Sequence, residues 1–261
     1  MRIALERSIR LALCLCALAA LPGPALAAAD SDRFRAIYEK EWAFRLREFP
    51  LFASYVGVHD YSDRMGRVAE QDQARRHAFW AGIRAELDGI SCARLERDEC
   101  IDYRIFVAQM DNFIAGYATQ SYLIPFSSDS GFYTDWVRLP EDTEFGRAED
   151  YRDYLARLHE LPAVMDEYIA LMRRGIELGI TQPRVILDGR DEPIKAQLVE
   201  RAEDSPFYAP FRSLPEALAG GDRAELLATA ERVVTADVIP AYRRLHDFLR
   251  NEYLPGARET L

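Results

Sequence analysis

The chain has 261 residues, 49% hydrophobic and 29% charged, with 33 basic against 43 acidic side chains and a formal net charge of -10. That mixture is too apolar for a disordered chain and too mixed for a coiled coil or collagen, and the length gives ample chain to bury a core. The acidic excess, with no run of Lys or Arg, argues against nucleic-acid binding, because neutralising phosphates needs a concentrated basic surface.

Residues 1–27 read as an export signal. Arg2, Arg7 and Arg10 give a basic start, Leu11 to Leu21 an unbroken apolar run, and Pro22 and Pro24 precede Ala25-Leu26-Ala27, a small-x-small cleavage site. The apolar run falls short of the roughly 20 residues a bilayer requires, so an uncleaved anchor is the poorer reading and no membrane attachment is expected after cleavage. Leu13 before Cys14 and Leu15 before Cys16 do not suit a lipidation signal. The expected mature unit is residues 28–261, one helical domain, periplasmic or secreted. Loss of three Arg and one Glu with the signal takes the net charge from -10 to -12. The mature chain keeps Cys92 and Cys100, which outside the cytoplasm are expected to pair across the polar stretch Ala93 to Glu99; two free thiols are the alternative.

Along the mature chain the dominant period is helical. Phe34, Ile37, Tyr38, Trp42, Leu46 and Phe49 form one stripe, with Ser31 or Asp32 as cap and Pro50 as stop. Trp80, Ile83, Leu87 and Ile90 mark a second helix over about 70–90, and a third runs from about Glu99 to Tyr117 with Ile101, Ile105, Ala108 and Phe113 inward. Tyr122 to Pro140 reads as a long packed loop rich in aromatics, Ser, Gly and Pro. Helix resumes near Ala148, with Pro162 either kinking one helix or separating two, and Gly179 ending it. A short helix over Ile194 to Ala202, a turn at Ser205-Pro206-Phe207-Tyr208, and a last helix opened by a capping box at Asp222 and Glu225 complete the chain. Arg184 to Leu187 is the one candidate for a brief strand. The fold class is all-α: an irregular multi-helix bundle with long aromatic and Pro-containing loops and little or no sheet.

Chemistry is harder to find. His59, His77, His159 and His246 include no pair within one helical turn, so the sequence offers no H-E-x-x-H and no metal site. It also lacks a G-x-S-x-G elbow, a Walker A loop and a G-x-G-x-x-G, and no catalytic or cofactor-binding residue is assigned. Asp150, Asp153 and Glu160 read as a solvated helix face. Tyr133 and Trp136, with His59 and Tyr61, are the candidates for lining a cleft; a loop packing its aromatics onto helices is the favoured alternative for Gly131 to Trp136.

Several segments carry a family resemblance when taken in order. They are Phe49-Pro50-Leu51-Phe52-Ala53-Ser54-Tyr55-Val56-Gly57-Val58-His59-Asp60-Tyr61; Ile101-Asp102-Tyr103; Asp150-Tyr151 through Tyr154-Leu155-Ala156-Arg157-Leu158; Gly175 through Gly179-Ile180 to Pro183-Arg184; Ser205-Pro206-Phe207-Tyr208; and Tyr253-Leu254-Pro255. Together they resemble the exported bacterial family known as domain of unknown function 885. The resemblance implies a helical fold related to zinc metallopeptidases of the H-E-x-x-H type, in which two His hold zinc and the Glu is general base on the bound water. Members carry that motif downstream of the matched region, in longer chains. The implied zinc, and any peptide or small-molecule substrate, therefore belong to a full-length parent, since the motif has no positions here.

Two readings follow. In the first, the chain is the N-terminal helical portion of an exported metallopeptidase-like protein, inactive by itself and exposing apolar helix faces that the other portion covers. In the second, it is a complete exported helical binding or scaffold protein without catalysis.

Overall fold

Alanine carries the first helix through the positions expected to cap it. The computed structural model of the protein describes residues 24–259, apart from 188, 217 and 219. There α1 runs Pro24–Glu48, starting well ahead of the caps expected at Ser31 and Asp32. Residues 27–29 are three consecutive alanines, the best helix former, so the helix continues through the polar positions. Ser31 makes a tertiary contact instead, donating to Glu99 Oε2 at 2.6 Å. The export segment falls chiefly on residues 1–23, outside the described residues; 24–27 form the first turn of α1.

After α1 come α2 (Pro50–Tyr55), α3 (Glu70–Leu87) and α4 (Arg97–Ala118). α1, α3 and α4 enclose a small core of Phe34, Ile37, Phe44, Trp80, Ile83, Leu87, Phe106 and Met110, closed below by Ile90 and Leu95. The inward face of α4 shares Phe113 with the one expected but not Ile101, Ile105 or Ala108. Tyr103, Phe106, Met110 and Phe113 face the core, whereas Ile101 and Ile105 are 47% and 64% exposed. The aromatic and Met stripe offers more apolar surface than the isoleucine stripe about one residue round the helix, and the larger burial sets the rotation. Cys92 and Cys100 are disulfide-bonded, with Cα atoms 5.1 Å apart, fastening the α3–α4 connection to the start of α4.

The second core is larger. It gathers α5 (Phe132–Val137), α6 (Ala148–Leu178), α7 (Glu192–Lys195) and a long C-terminal helix. The Tyr122 to Pro140 segment is packed as expected, but it contains α5, held by Thr134, which both donates to the Gly131 carbonyl and accepts from its N–H. α6 is one 31-residue helix with Pro162 inside it. It ends at Gly179 in the left-handed conformation (φ 71°), where Ile180 N–H reaches back to the Gly175 carbonyl at 2.8 Å. A Cβ at Gly175 would lie 2.6 Å from the Ile180 oxygen, so that turn requires glycine.

Further on, helix is shorter than expected. Only Glu192–Lys195 is α-helical, and Arg184–Ile186, Ala202–Asp204 and Pro206–Phe211 are 3₁₀ turns, so the strand considered at Arg184 to Leu187 is not formed. Pro193, Pro206 and Pro210 remove backbone donors from this stretch, which keeps its helices short. The final helix begins at Gly220, not with a capping box at Asp222, whose carboxylate pairs with Arg152 instead. It proceeds as α8 (Gly220–Val233), a π turn Val234–Val238, α9 (Ile239–Phe248), a second π turn Leu249–Tyr253, and α10 (Leu254–Gly256). Each π turn immediately precedes a helix with proline at its start, Pro240 or Pro255. The wider turn accommodates a ring that cannot donate and would clash with the preceding carbonyl. Among the described residues only two isolated β-bridges occur, Phe126 with Gly131 and Pro183 with Arg258, so the fold is all-α. No described helix is long and apolar enough to cross a membrane.

Candidate functional site

The two cores meet along the connector between α2 and α3, and polar side chains hold that connector by its backbone. Arg157, Glu160 and Glu167 lie on one face of α6 at helical spacing. Met65 N–H donates to Glu160 Oε2 and Val68 N–H to Glu167 Oε2, each at 2.9 Å. Arg157 Nε donates to the Arg64 carbonyl at 2.9 Å, and its Nη2 donates to Ser54 Oγ at 2.9 Å and the Tyr61 carbonyl at 3.2 Å. From the other side, buried Arg76 donates to Glu48 Oε2 at 3.1 Å and stacks over Phe49 at 4.5 Å. Gly66, at φ 83°, lets the connector pass close to the α1–α2 junction, where a Cβ would meet Pro50 Cδ at 2.9 Å.

At one end of this seam lies a cavity of about 480 Å³, between the α2 end, the loop ahead of α6 and the first turns of α6. Arg157 lines it, only 3% exposed. No carboxylate among the described residues lies within ion-pair distance of its guanidinium, and Nη1 finds no protein partner there. Burial pushes its pKa down to about 10, against the opposing pull of Asp153, Asp63 and Glu160 farther off. Half-buried Asp153 lines the same cavity, and burial, with Glu149, Asp63 and Asp150 nearby, raises its pKa above the usual carboxylate value. Asp150 behaves oppositely. Burial works against its charge, yet the N–H groups of Arg147 (2.7 Å) and Gly146 (2.9 Å) and the Arg147 guanidinium hold its pKa below the ordinary value. Exposed Asp142 and Glu144 form the rim.

The expected solvated face of Asp150, Asp153 and Glu160 is therefore a correction: one carboxylate holds the start of α6, one lines the cavity and one binds the connector backbone. Each has a backbone or cavity neighbour that spacing within the helix does not reveal. Of the four cleft candidates, His59 lines this cavity, and Tyr61 contributes its carbonyl to Arg157. Tyr133 and Trp136 do not join them. They are 5% and 4% exposed in the large core, where Trp136 packs edge-on against Phe132. Sequence alone does not single out Arg157 or Asp142, and it gives Asp153 only as part of the solvated face. The signal for Arg157 was present: it interrupts a buried stripe, Tyr154, Leu161 and Val164, at spacings of three and four.

The residues do not fit a zinc centre. His77 stacks on Tyr117, His159 Nδ1 pairs with Asp237 Oδ2 at 2.8 Å, His246 lies beside Asp247, and His59 sits apart on the cavity. Among the described residues no group of three or more His, Cys, Asp or Glu is arranged to hold a metal ion.

The fold and the seam define a helical, two-core protein. The family described as bacterial protein of unknown function (DUF885) matches residues 50–260, and the chain belongs to it. The segments that carried the resemblance are largely structural. Ser54 and Tyr61 meet Arg157, the Tyr154 hydroxyl donates to the Phe207 carbonyl at 3.0 Å, and the Tyr253 hydroxyl accepts from Gln182 N–H at 3.0 Å. No curated protein matches the chain. Among solved structures, the chain is similar in fold to one described as "the putative lipoprotein from Colwellia psychrerythraea", with a TM-score of 0.75 and 18% identity. The similarity covers 88% of this chain but 42% of that one, so the chain spans less than half the length of the solved relative.

Proposed function

We propose that this chain is the helical front part of a longer exported hydrolase of the H-E-x-x-H zinc type, walling one side of its substrate cleft and carrying no catalytic centre itself. The observation that carries this reading is the asymmetry of the fold match: nearly all of this chain corresponds to less than half of the solved relative. Exposed apolar side chains on α1 and α4, set among Arg35, Glu39, Glu99 and Asp102, support it. Tyr38 and Ile105 border a groove of about 640 Å³, and Ile101 stands exposed on the same helix. On this reading that face is covered by the other portion, because an apolar patch of that kind marks a contact surface. The export signal, and the description of the relative as a lipoprotein, support a place in the cell envelope.

The test is the reading frame beyond Leu261 and the behaviour of the purified chain. An in-frame continuation containing H-E-x-x-H, with a chain that self-associates or binds a hydrophobic dye, is the expected result. A stop codon together with a dye-silent monomer overturns it. That outcome favours the second reading, a complete exported binding protein, which the cavity at Arg157 also suits.

A further inference from the structure

The cavity at the seam has opposite charges at its two ends. At its inner end Arg157 is almost fully buried, and its Nε and Nη2 bond to neutral oxygens only. A guanidinium withdrawn from water without a carboxylate is costly, and its planar fork matches a carboxylate ligand. Toward solvent Asp142 and Glu144 are exposed and Asp153 is half-buried, while exposed Arg147 on the same lining is already paired with Asp150 at 3.1 Å. None of Asp142, Glu144 and Asp153 has a basic partner within ion-pair distance among the described residues. With Arg147 paired to Asp150, the uncompensated charges a simple anion would pass on the way to Arg157 are acidic, and a simple cation would leave Arg157 unpaired.

We propose that the cavity binds a small zwitterion, its carboxylate on Arg157 and its ammonium group among Asp142, Glu144 and Asp153. The inference rests on the cavity being a binding element of the proposed front part, and it holds whichever half of a longer protein carries catalysis. Burial of the arginine sets the direction of entry: carboxylate first, ammonium toward solvent. The cavity volume of about 480 Å³ leaves room for a chain between the two charges. The raised pKa of Asp153 falls when an ammonium group arrives, so binding releases protons near the acid range.

Calorimetric titration of the full chain at low salt tests this with glycine, 4-aminobutanoate and 6-aminohexanoate as probes. Hexanoate and hexylamine serve as single-charge controls. At least one zwitterion is expected to bind ten-fold or more tightly than either control. Asp153→Asn should bring that zwitterion to within about two-fold of hexanoate, and Arg157→Lys, which keeps charge but loses the fork, should weaken it at least ten-fold. If Arg157→Lys does not fold, Asp153→Asn at the half-buried position carries the test. Equal affinities for zwitterions and controls, no binding by any probe, or unchanged affinity in Asp153→Asn overturns the proposal, leaving Arg157 a clamp on the connector only. These outcomes are independent of zinc or hydrolysis, so this inference and the proposed hydrolase role fail separately.

Discussion

Glu41 beside the small core and Arg157 beside the large one both interrupt an apolar helix stripe, and the two are treated differently. At the small core Glu41, 1% exposed, interrupts Phe34, Ile37 and Phe44 on α1. It accepts from Trp80 Nε1 at 3.1 Å and from Arg45 at 2.9–3.0 Å, and Arg45 lies over Phe113. At the large core Arg157 interrupts the corresponding stripe on α6 but meets only neutral oxygens and a cavity. The first charge is spent inside the fold; the second remains available to a ligand. A buried charge becomes a candidate for function when its environment satisfies its hydrogen bonds without neutralising it.

Mutation of the two cores breaks or sharpens this contrast. Leu158→Ala, fully buried in the large core, should cost about 3–5 kcal/mol, and Met110→Ala in the small core about 2–4 kcal/mol, read by denaturant unfolding. A single shifted transition in both variants makes the cores one cooperative unit, whereas separate transitions make them independent. Glu41→Ala should cost about 3 kcal/mol, because it strands Arg45 and the Trp80 N–H. Arg157→Met should cost only about 1–2 kcal/mol, since it abandons neutral acceptors and relieves a desolvated charge. Equal losses at the two positions would contradict the contrast.

Reduction of Cys92–Cys100 should remove at most about 2.5 kcal/mol, the loop-closure value for so short a ring, and act through the small core. The smallest effect near neutrality comes from the buried phenols. Burial raises Tyr168 to about 12 and also raises Tyr154 and Tyr242 well above their ordinary value. The unfolded phenols ionise first, so this stabilisation is complete below about pH 10 and is lost as pH rises toward 12. Denaturant midpoints at pH 9 and pH 11 check the sign, and an unchanged midpoint contradicts the burial.

Periodicity made the helical class and α3 legible, because the apolar positions recur at helical spacing; it left open whether Pro162 divides α6, which is one helix. The rotation of α4 was not legible. Two stripes compete there, and only the aromatics arriving from α1, such as Phe34 against Phe106 at 6.0 Å, decide between them. Of the residues expected at a cleft, His59 lies on the cavity and Tyr61 only lends its carbonyl; Arg157 was not legible, because an arginine in a sequence shows its charge and not the carbonyls of Tyr61 and Arg64 that accept it. Tyr133 and Trp136 look the same in sequence whether they line a cleft or fill a core, and here they fill the core.

The role proposed for this chain is to supply structure and recognition while catalysis lies in another part of a longer protein. It is tested most directly by incubating the purified chain with zinc and a mixed peptide pool, measuring bound metal and cleavage together. The account predicts no stoichiometric zinc and no hydrolysis. One zinc per chain, with cleavage abolished by a chelator, would contradict it.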